Sequence, residues 1–291
     1  MDKLKEIVVI SGKGGTGKTT VASALAGIIK DKVIVDADVD ASNMYLLLHP
    51  SKIRSHEFRG KSIAVIDNSK CTSCDLCRTH CRFNAIDVLE EDYKVDPISC
   101  DGCTLCELVC PSDAITMQDQ IVGKWNISNT ELGDFVYARL NPGAENSGNL
   151  VTMVRHQAKL IAKEKSIDTI VIDGPPGIGC PVTSSLSGTT FAVVVTEPSL
   201  SGISDMKRVL DVAKHFNIPT GIVINRYDVN LENSDDIEKF AEGLNIPVLA
   251  KIGHSSCIMD EISKGKLPHE KCNELREAVV KIYSSIKDKM E

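Results

Sequence analysis

The chain has 291 residues, enough for two domains of ordinary size, and its 42 % hydrophobic and 25 % charged content is that of a globular protein. The net charge of −7 counts against a general nucleic-acid binder, because phosphate contacts require a basic surface; we expect no nucleic-acid partner. No apolar run approaches the ~18 residues of a membrane span, and the first residues lead into a strand without a signal-peptide core. We therefore expect a cytoplasmic protein without membrane attachment.

The first motif is a glycine-rich segment between a predicted strand and a predicted helix. An apolar run at 7–10 precedes it, and a helical pattern at 21–29 follows it. The segment fits G-x-x-x-x-G-K-[ST], the phosphate-binding loop, in which backbone N–H groups and a helix N-terminus surround phosphate oxygens. Its residues are Gly12, Lys13, Gly14, Gly15, Thr16, Gly17, Lys18, Thr19 and Thr20. We predict that Lys18 reaches the β- and γ-phosphates and that Thr19 binds Mg²⁺.

Lys13 adds a second lysine to this loop, giving K-G-G-x-G-K-T. The pattern resembles the deviant Walker A motif of the MinD/ParA/Mrp/nitrogenase-iron-protein ATPases. The resemblance implies a homodimer in which Lys13 reaches across to the partner's nucleotide. There it would neutralise the charge that develops during phosphoryl transfer. The alternative is an exposed loop lysine without this role.

Acidic residues follow the second predicted strand, where the segment 36–43 reads D-A-D-V-D-A-S-N. It resembles the first switch of the same family. The resemblance implies that Asp38 orients the attacking water beside Mg²⁺, with Asp36 next to it and Asn43 sensing the γ-phosphate. Asp40 has no counterpart in the family pattern. Capping of the following helix is the alternative role for these carboxylates.

A basic stretch at 49–62 is predicted to be a linker, and an internal repeat with a period of 29 residues follows it. The first copy reads C-T-S-C-D-L-C-R-T-H-C at 71–81, and the second reads C-D-G-C-T-L-C-E-L-V-C at 100–110. Both fit C-x2-C-x2-C-x3-C, the bacterial two-cluster ferredoxin pattern, in which the fourth cysteine ligates the other cluster. The predicted [4Fe–4S] ligands are Cys71, Cys74, Cys77 and Cys110 for one cluster, and Cys81, Cys100, Cys103 and Cys106 for the other.

Zinc is the alternative for these cysteines, but zinc sites usually show paired cysteines with a longer spacer between the pairs. Eleven cysteines in a cytoplasmic chain also favour clusters over disulfides. One position departs from the ferredoxin pattern, because Arg82 follows Cys81 where Pro111 follows Cys110. A cation there favours the more negative, reduced state, so we predict that the Cys81-containing cluster is the easier one to reduce.

The ATPase pattern resumes at about residue 121. A loop is predicted at 141–149, and a helix at about 150–165. The apolar run at 169–173 ends on Asp173, which is followed by G-P-P-G-I-G-C. An aspartate that ends a buried strand is a Walker B candidate for Mg²⁺, and D-x-P-P-G resembles the second switch of the family.

The predicted strand at 220–224 ends in Asn225-Arg226. In MinD-like proteins, which this segment resembles, an asparagine here reads the adenine edge, and an amide can pair with adenine through two hydrogen bonds. The sequence N-R-Y-D departs from the N-K-x-D of GTP recognition, so we expect ATP. The last helix, predicted at 273–287, carries one apolar stripe that we expect in the core. The stripe consists of Leu275, Val279, Ile282 and Ile286.

Three cysteines lie outside the repeat. Cys257 and Cys272 are predicted to be ordinary structural or surface thiols. Cys180 follows Asp173 by seven residues, the offset at which the nitrogenase iron protein, which this segment resembles, ligates its subunit-bridging cluster. A two-fold dimer would bring two such segments towards its axis, which makes Cys180 a candidate ligand of a shared metal or cluster. The alternative is a small thiol packed after a proline–glycine turn.

These motifs predict an α/β fold: a mostly parallel, doubly wound P-loop NTPase sheet with an inserted small α+β domain like a bacterial ferredoxin. The predicted boundaries are 1–57 and 121–291 for the ATPase segments and 58–120 for the insert. The expected activity is hydrolysis of ATP, slow unless a partner stimulates it. The expected cofactors are ATP, Mg²⁺ and two [4Fe–4S] clusters.

Three functions fit this architecture. In the first, the nucleotide state is coupled to electron transfer through the clusters to a redox partner. The second is an iron–sulfur or metal-centre assembly ATPase of the Mrp type, which delivers to an acceptor protein. The third is a MinD/ParA-like positioning ATPase with redox-sensing clusters. Two fully ligated clusters favour the first and Cys180 favours the second, whereas the acidic charge and the lack of a membrane helix count against the third.

Overall fold

The computed structural model describes residues 4–144 and 147–290, which fall into two compact units. The first unit contains the chain up to residue 56, residues 125–139 and the chain from 147 onwards. The second contains 57–124 and the segment that begins at 140. Residues 145 and 146 of the predicted 141–149 loop, and residues 1–3 and 291 of the predicted ATPase segments, lie outside the described residues.

The central sheet has nine strands in the order β11-β10-β9-β1-β8-β2-β7-β6-β3. The pairs from β11 to β7 are all parallel. These seven strands are β1 (Lys5–Ser11), β2 (Lys32–Asp36), β7 (Gly133–Leu140), β8 (Thr169–Pro176), β9 (Phe191–Thr196), β10 (Thr220–Asn225) and β11 (Val248–Ile252). Strands β1, β2, β8, β9 and β10 contain continuous Val/Ile runs, because helices cover both faces of a parallel sheet.

Strand order decides where the predicted site residues meet. Strand β8 lies between β1 and β2, and Asp173 of β8 is in register with Asp36 of β2 and Val9 of β1. The carboxyl ends of these three strands therefore share one edge of the sheet. Ligands of open α/β sheets bind at that edge. The loops that follow β1, β2 and β8 are the three segments in which the sequence places its phosphate and magnesium residues.

The helices of the first unit are α1 (Lys18–Ile28), α2 (Tyr45–Leu48), α5 (Ser147–Lys165), α6 (Cys180–Leu186), α7 (Leu200–His215), α8 (Leu231–Gly243), α9 (Ser256–Ser263) and α10 (Asn273–Met290). The predicted apolar stripe of the last helix is fully buried in the core, which confirms that expectation. Among the described residues, no helix is both long and apolar enough to cross a bilayer.

The second unit contains two short helices and a two-stranded antiparallel sheet. The helices are α3 (Leu76–Thr79) and α4 (Leu105–Leu108), and the sheet pairs β4 (Ile86–Leu89) with β5 (Asp92–Val95). The sequence period of 29 residues reappears in the backbone. Asp75 and Thr104 precede α3 and α4 with left-handed φ angles of 61° and 65°. The two copies of the repeat therefore have the same local fold.

The predicted linker at 49–62 is wrong. These residues belong mostly to β3 (Ser51–Ile66), a 16-residue strand next to β6 (Ile115–Thr130) in the sheet order. Both strands contain residues of both units. The basic, polar composition that suggested a linker instead reflects an edge strand, because charged side chains protect an open sheet edge.

Candidate functional site

The predicted phosphate-binding loop lies between β1 and α1. Gly17 immediately precedes the helix with a φ of 90°, in the left-handed region that favours glycine. A side chain at Gly12 would overlap the backbone of Asp205, and one at Gly17 would overlap Asn225. At these two positions the fold leaves no room for a Cβ atom, so only glycine allows the loop to adopt this path.

Lys18 is buried among the carboxylates that the sequence assigns to Mg²⁺. Its Nζ atom lies 3.0 Å from Asp38 Oδ2 and 3.3 Å from Asp173 Oδ1. Burial disfavours the charged amine, but Asp173 and Asp38 outweigh it and hold the pKa of Lys18 above its usual value. The predicted phosphate lysine is thus charged and bonded to two of the three predicted magnesium residues, Asp38 and Asp173.

Asp36 shapes the loop after β2. Its Oδ1 atom accepts a hydrogen bond from the backbone N–H of Asp38, at 3.1 Å. Its Oδ2 atom accepts from the Ser42 hydroxyl at 2.8 Å and from the N–H groups of Asn43 and Met44 at 3.2 and 3.1 Å. Burial and the charge of Asp173 raise the pKa of Asp36. Asp36 therefore positions the backbone that carries Asp38, a role beyond its predicted place beside that residue.

Within the described ranges 4–144 and 147–290, three buried oxygens at this site have no hydrogen-bond partner: Asp38 Oδ1, Asp173 Oδ2 and Thr16 Oγ1. Unpaired buried oxygens are costly, and carboxylate and hydroxyl oxygens are the ligands that Mg²⁺ prefers. Thr19 is half-buried, whereas Asn43 and Asp40 are exposed. The donor set at the end of β2 and β8 thus fits a hydrated magnesium ion.

Lys13 lies against its own chain. Its Nζ atom is 2.6 Å from Glu197 Oε1, 3.1 Å from Ser199 Oγ and 2.9 Å from Ser201 Oγ, all after β9. Glu197 also contacts Arg226, at 3.4 Å. Burial raises the pKa of Glu197, but Lys13 more than offsets this, so the pKa lies below its usual value. A lysine held in this way must leave Glu197 before it can reach a partner's nucleotide.

From the predicted role of Lys13 across a dimer interface, we expect Lys13→Ala to lower the rate of ATP hydrolysis at least ~100-fold, because such a cation is worth about 10³–10⁵ in phosphoryl transfer. ADP affinity should change by less than about threefold, since Lys13 pairs with Glu197 in the single chain. Steady-state hydrolysis and ADP titration measure the two effects. The control is Lys214→Ala, an exposed lysine near the end of α7. Equal losses in the two variants would exclude a specific role for Lys13.

A cavity lies beside the start of α1, where the base of a nucleotide would follow its phosphates. Asn225 and Arg226, the predicted base-side residues, line it together with Gly17 and Thr20. Asn225 donates from Nδ2 to the Thr16 carbonyl at 2.8 Å, so its amide is tied to the phosphate-binding loop. Two further walls come from α9 and α10, which sequence reasoning did not assign to the site: Ile258, Met259 and Ile262, and Leu275.

The eight repeat cysteines line two separate cavities in the second unit. One is lined by Cys71, Cys74, Cys77 and Cys110, and the other by Cys81, Cys100, Cys103 and Cys106. The structure therefore brings together the two quartets that the ferredoxin pattern assigns. Among the described residues, no three side chains of His, Cys, Asp or Glu are grouped to hold a single metal ion.

Backbone N–H groups donate hydrogen bonds to several of these sulfurs. Two of these bonds are equivalent in the two copies of the 29-residue repeat. Ala85 N–H donates to Cys81 Sγ and Ala114 N–H to Cys110 Sγ, each at 3.3 Å, and Ser73 N–H donates to Cys71 Sγ at 3.4 Å. Burial raises the pKa of the Cys110 thiol, but the hydrogen bonds from Ala114 and Ser112 outweigh it, so its pKa lies below the usual value and favours the thiolate that ligates metal. The second unit thus presents two cavities, each lined with four cysteine side chains.

Cys180 is exposed at the first residue of α6. A Cβ atom at Gly148, in the first turn of α5, would lie 3.3 Å from Cys180 Cβ, so this glycine leaves space for the cysteine. No group of three metal-ligating side chains forms around it in the part of the chain that the structure describes. Its predicted bridging role would need ligands from a second subunit.

The expectation that Cys257 and Cys272 are separate thiols is wrong, because the structure joins them in a disulfide. Cys257 is the second residue of α9, and Cys272 directly precedes α10. They are 15 residues apart in a chain whose other nine cysteines are free. No local motif marks this pair, since the fold and not the spacing brings the two residues together.

The sequence model of the CobQ/CobB/MinD/ParA nucleotide-binding domain matches residues 7–268. The chain belongs to this family. It is therefore a P-loop ATPase, and the predicted mostly parallel P-loop NTPase fold is confirmed. The match extends from β1 to the turn before α10 and includes the phosphate-binding loop, Asp38, Asp173 and Asn225.

Individual family members resemble the chain over most of its length. Uncharacterized protein MJ0578 of Methanocaldococcus jannaschii is 33 % identical over 233 residues, which cover 78 % of this chain and 80 % of that protein. Septum site-determining protein MinD of Synechocystis sp. is 24 % identical over 269 residues, covering 89 % and 80 %. The structure of MinD with Mg-ADP from Pyrococcus horikoshii has a TM-score of 0.58 at 20 % identity and covers 97 % and 95 %. This last similarity concerns the fold.

Proposed function

We propose that this family ATPase couples its nucleotide state to electron transfer through two [4Fe–4S] clusters held in the second unit. The observation that carries the proposal is the division of eight cysteines into two quartets, each around its own cavity, in the polypeptide that carries the ATPase site. A cluster held by four thiolates accepts and releases single electrons. Four protein ligands per cluster suit electron transfer better than delivery, because a delivered cluster must exchange its ligands.

The ATP site follows from the residues on the first unit. Lys18 would exchange its bonds with Asp38 and Asp173 for the β- and γ-phosphates, and the released carboxylates would face Mg²⁺. The MinD structure from Pyrococcus horikoshii contains Mg-ADP, which supports this assignment. We propose a cytoplasmic homodimer, in which Lys13 of one subunit reaches the nucleotide of the other.

The chain itself provides a covalent route for coupling. The loop that Asp36 holds at residues 38–44 is followed by α2 and then by β3, which runs into residues of the second unit. When Lys18 leaves Asp38 for a phosphate, the loop that contains Asp38 would be the first segment to change conformation. We infer that the 38–44 segment is the element whose conformation reports the nucleotide state.

The test is an anaerobic preparation with iron counting and EPR, followed by a redox titration with MgATP, with MgADP and without nucleotide. We expect about eight irons per chain and a change in cluster potential or reduction rate with MgATP but not with MgADP. Lys18→Met is the control, because it should keep the iron and lose the nucleotide response. Far fewer than eight irons, or identical titrations in all three conditions, would contradict electron-transfer coupling.

Two observations favour other functions. Cys180 is an exposed thiol at the start of α6, which suits cluster or metal delivery to an acceptor protein. Cluster transfer to an apo-acceptor that disappears in Cys180→Ala would support that function. The similarity to proteins named septum site-determining protein MinD favours a positioning ATPase. ATPase activity stimulated by lipid or DNA would support this third function.

Arg82 provides a separate test of the cluster assignment. It is exposed beside Cys81 at the position of Pro111 in the second copy. Arg82→Pro should lower the potential of the Cys81-containing cluster by roughly 20–40 mV, since an exposed charge contributes about 1 kcal/mol and 1.4 kcal/mol corresponds to 59 mV for one electron. Pro111→Arg should raise the potential of the other cluster. An EPR-monitored redox titration showing no change at either cluster in both variants would refute the idea.

A further inference from the structure

We propose that the Cys257–Cys272 disulfide is a redox modification site through which a dithiol reductant weakens nucleotide binding in the adjacent cavity. The proposal rests on nucleotide binding at the phosphate-binding loop and needs no iron–sulfur cluster. Its ligand is ADP or ATP, and its co-reactant is a small or protein-borne dithiol.

The position of the disulfide is the first argument. It joins the second residue of α9 to the residue before α10. The residues next to it on α9, Ile258 and Met259, line the cavity that also contains Gly17 and Asn225. Leu275, three residues after Cys272, lines the same cavity. The covalent bond thus connects the two helices that form the apolar wall on the base side.

The second argument is that the other connections around this wall are weaker. Gly253 N–H donates to Glu274 Oε1 at 2.9 Å, and His254 N–H donates to Asp228 Oδ1 at 2.7 Å. Glu261 of α9 pairs with Lys264 and Lys271, whose side chains are more than half exposed. Exposed ion pairs contribute little to stability. Opening the disulfide therefore removes the covalent link between α9 and the residue that precedes α10.

The third argument comes from the redox setting. In reducing compartments, disulfides of ordinary proteins are usually transient and catalytic or redox-sensing. The other nine cysteines of this chain form no disulfide, so the pair at 257 and 272 is the exception within its own sequence. Cys257 is partly exposed, whereas Cys272 is only 5 % exposed. Cys257 is therefore the more exposed end of the bond and the side from which a reductant would attack.

The exchange is balanced for two electrons and two protons. A thiolate of the dithiol attacks Cys257 Sγ, the disulfide bond breaks, and Cys272 leaves as a thiolate that takes up a proton. The second thiol of the reductant then attacks the mixed disulfide. It releases Cys257 as a thiol and leaves the reductant as a cyclic disulfide. The protein gains two thiols, and the dithiol is oxidised.

The expected consequence is loss of preorganisation. In the oxidised protein the part of the wall that α9 contributes, Ile258 and Met259, is held in place before the nucleotide arrives. In the reduced protein, binding must order it. We expect reduction to weaken MgADP affinity about tenfold, within the 5–150-fold range typical of coupled sites. By reciprocity, saturating MgADP should lower the reduction potential of the disulfide by about 30 mV, the equivalent of tenfold for two electrons.

The experiment titrates anaerobically purified full-length protein with MgADP before and after treatment with dithiothreitol, with thiols counted by alkylation and mass spectrometry. Oxidised protein should bind about ten times more tightly than reduced protein. Cys257→Ser and Cys272→Ser should bind like reduced wild type and ignore the reductant. Cys180→Ser, the matched control, should respond like wild type because its thiol is free.

A second measurement needs no variant and covers the case in which a serine substitution prevents folding. MgADP should slow the reduction of the wild-type disulfide by dithiothreitol. Equal MgADP affinities in the two redox states, absence of this protection, or a redox response that persists in Cys257→Ser would each overturn the inference. Failure of every form to bind MgADP would instead overturn the assignment of the nucleotide site.

Discussion

Lys18→Met should reduce ATP hydrolysis by at least ~1,000-fold and also destabilise the nucleotide-free protein. The first effect follows from the loss of the cation that reaches the transferred phosphate. The second follows from the structure, in which Lys18 Nζ bonds to Asp38 and Asp173. Removing one partner of a buried ion pair leaves an uncompensated charge and typically costs about 3–5 kcal/mol. We expect a loss of about 3 kcal/mol in the free energy of unfolding.

The destabilisation should depend on pH with a definite sign. Burial already raises the pKa of Asp36 and Asp173, and Lys18 lowers both, so Lys18→Met should raise them further. When the pKa of a carboxyl is higher in the folded state than in the unfolded state, the free energy of unfolding falls as the pH rises. The deficit of the variant should therefore be larger at pH 8 than at pH 5.5. Urea unfolding at the two pH values measures it.

The matched control is Lys30→Met, which removes an exposed lysine just after the end of α1. Surface substitutions of this kind usually change stability by less than about 0.5 kcal/mol. A Lys18→Met protein that hydrolyses ATP normally, or that is as stable as the Lys30→Met protein at pH 8, would show that Lys18 does not have the role described.

The second large effect concerns iron. Cys71→Ser/Cys77→Ser should remove one of the two proposed clusters and lower the iron content from about eight to about four per chain, because two thiolates cannot hold a [4Fe–4S] cluster. Both residues line the same cavity. The equivalent pair in the other copy, Cys100→Ser/Cys106→Ser, should remove the other cluster and leave the first. Iron analysis and EPR spectra of the two variants should therefore be complementary.

Cys180→Ser is the control for these variants, since Cys180 lies outside both cavities. It should retain about eight irons and both EPR signals. If each double variant lost both signals, or if anaerobic wild-type protein contained zinc in place of iron, the assignment of two independent clusters would be wrong.

The sequence predicted the parts of the site that lie within one motif. The phosphate-binding loop was recognisable because its glycines and Lys18 are contiguous, and Asp173 because it ends an apolar run. The role of Glu197 as the partner of Lys13 was not predicted, since the two residues are 184 positions apart and only sheet order makes them neighbours. The cavity wall formed by Ile258 and Leu275 was not predicted either, since these residues are also far from the phosphate-binding loop in the sequence.

The family, the phosphate-binding loop and the two cysteine quartets could all be recognised from contiguous residues, because short spacings fix local backbone geometry wherever the motif occurs. The position of β8 between β1 and β2, which places Asp36 and Asp173 in register, follows only from the packing of the sheet. The bonds of Asp36 to the loop after β2 and the pairing of Cys257 with Cys272 likewise follow only from tertiary packing. These contacts join residues whose separation along the chain carries no periodic signal, so they exist only once the sheet and its helices have packed.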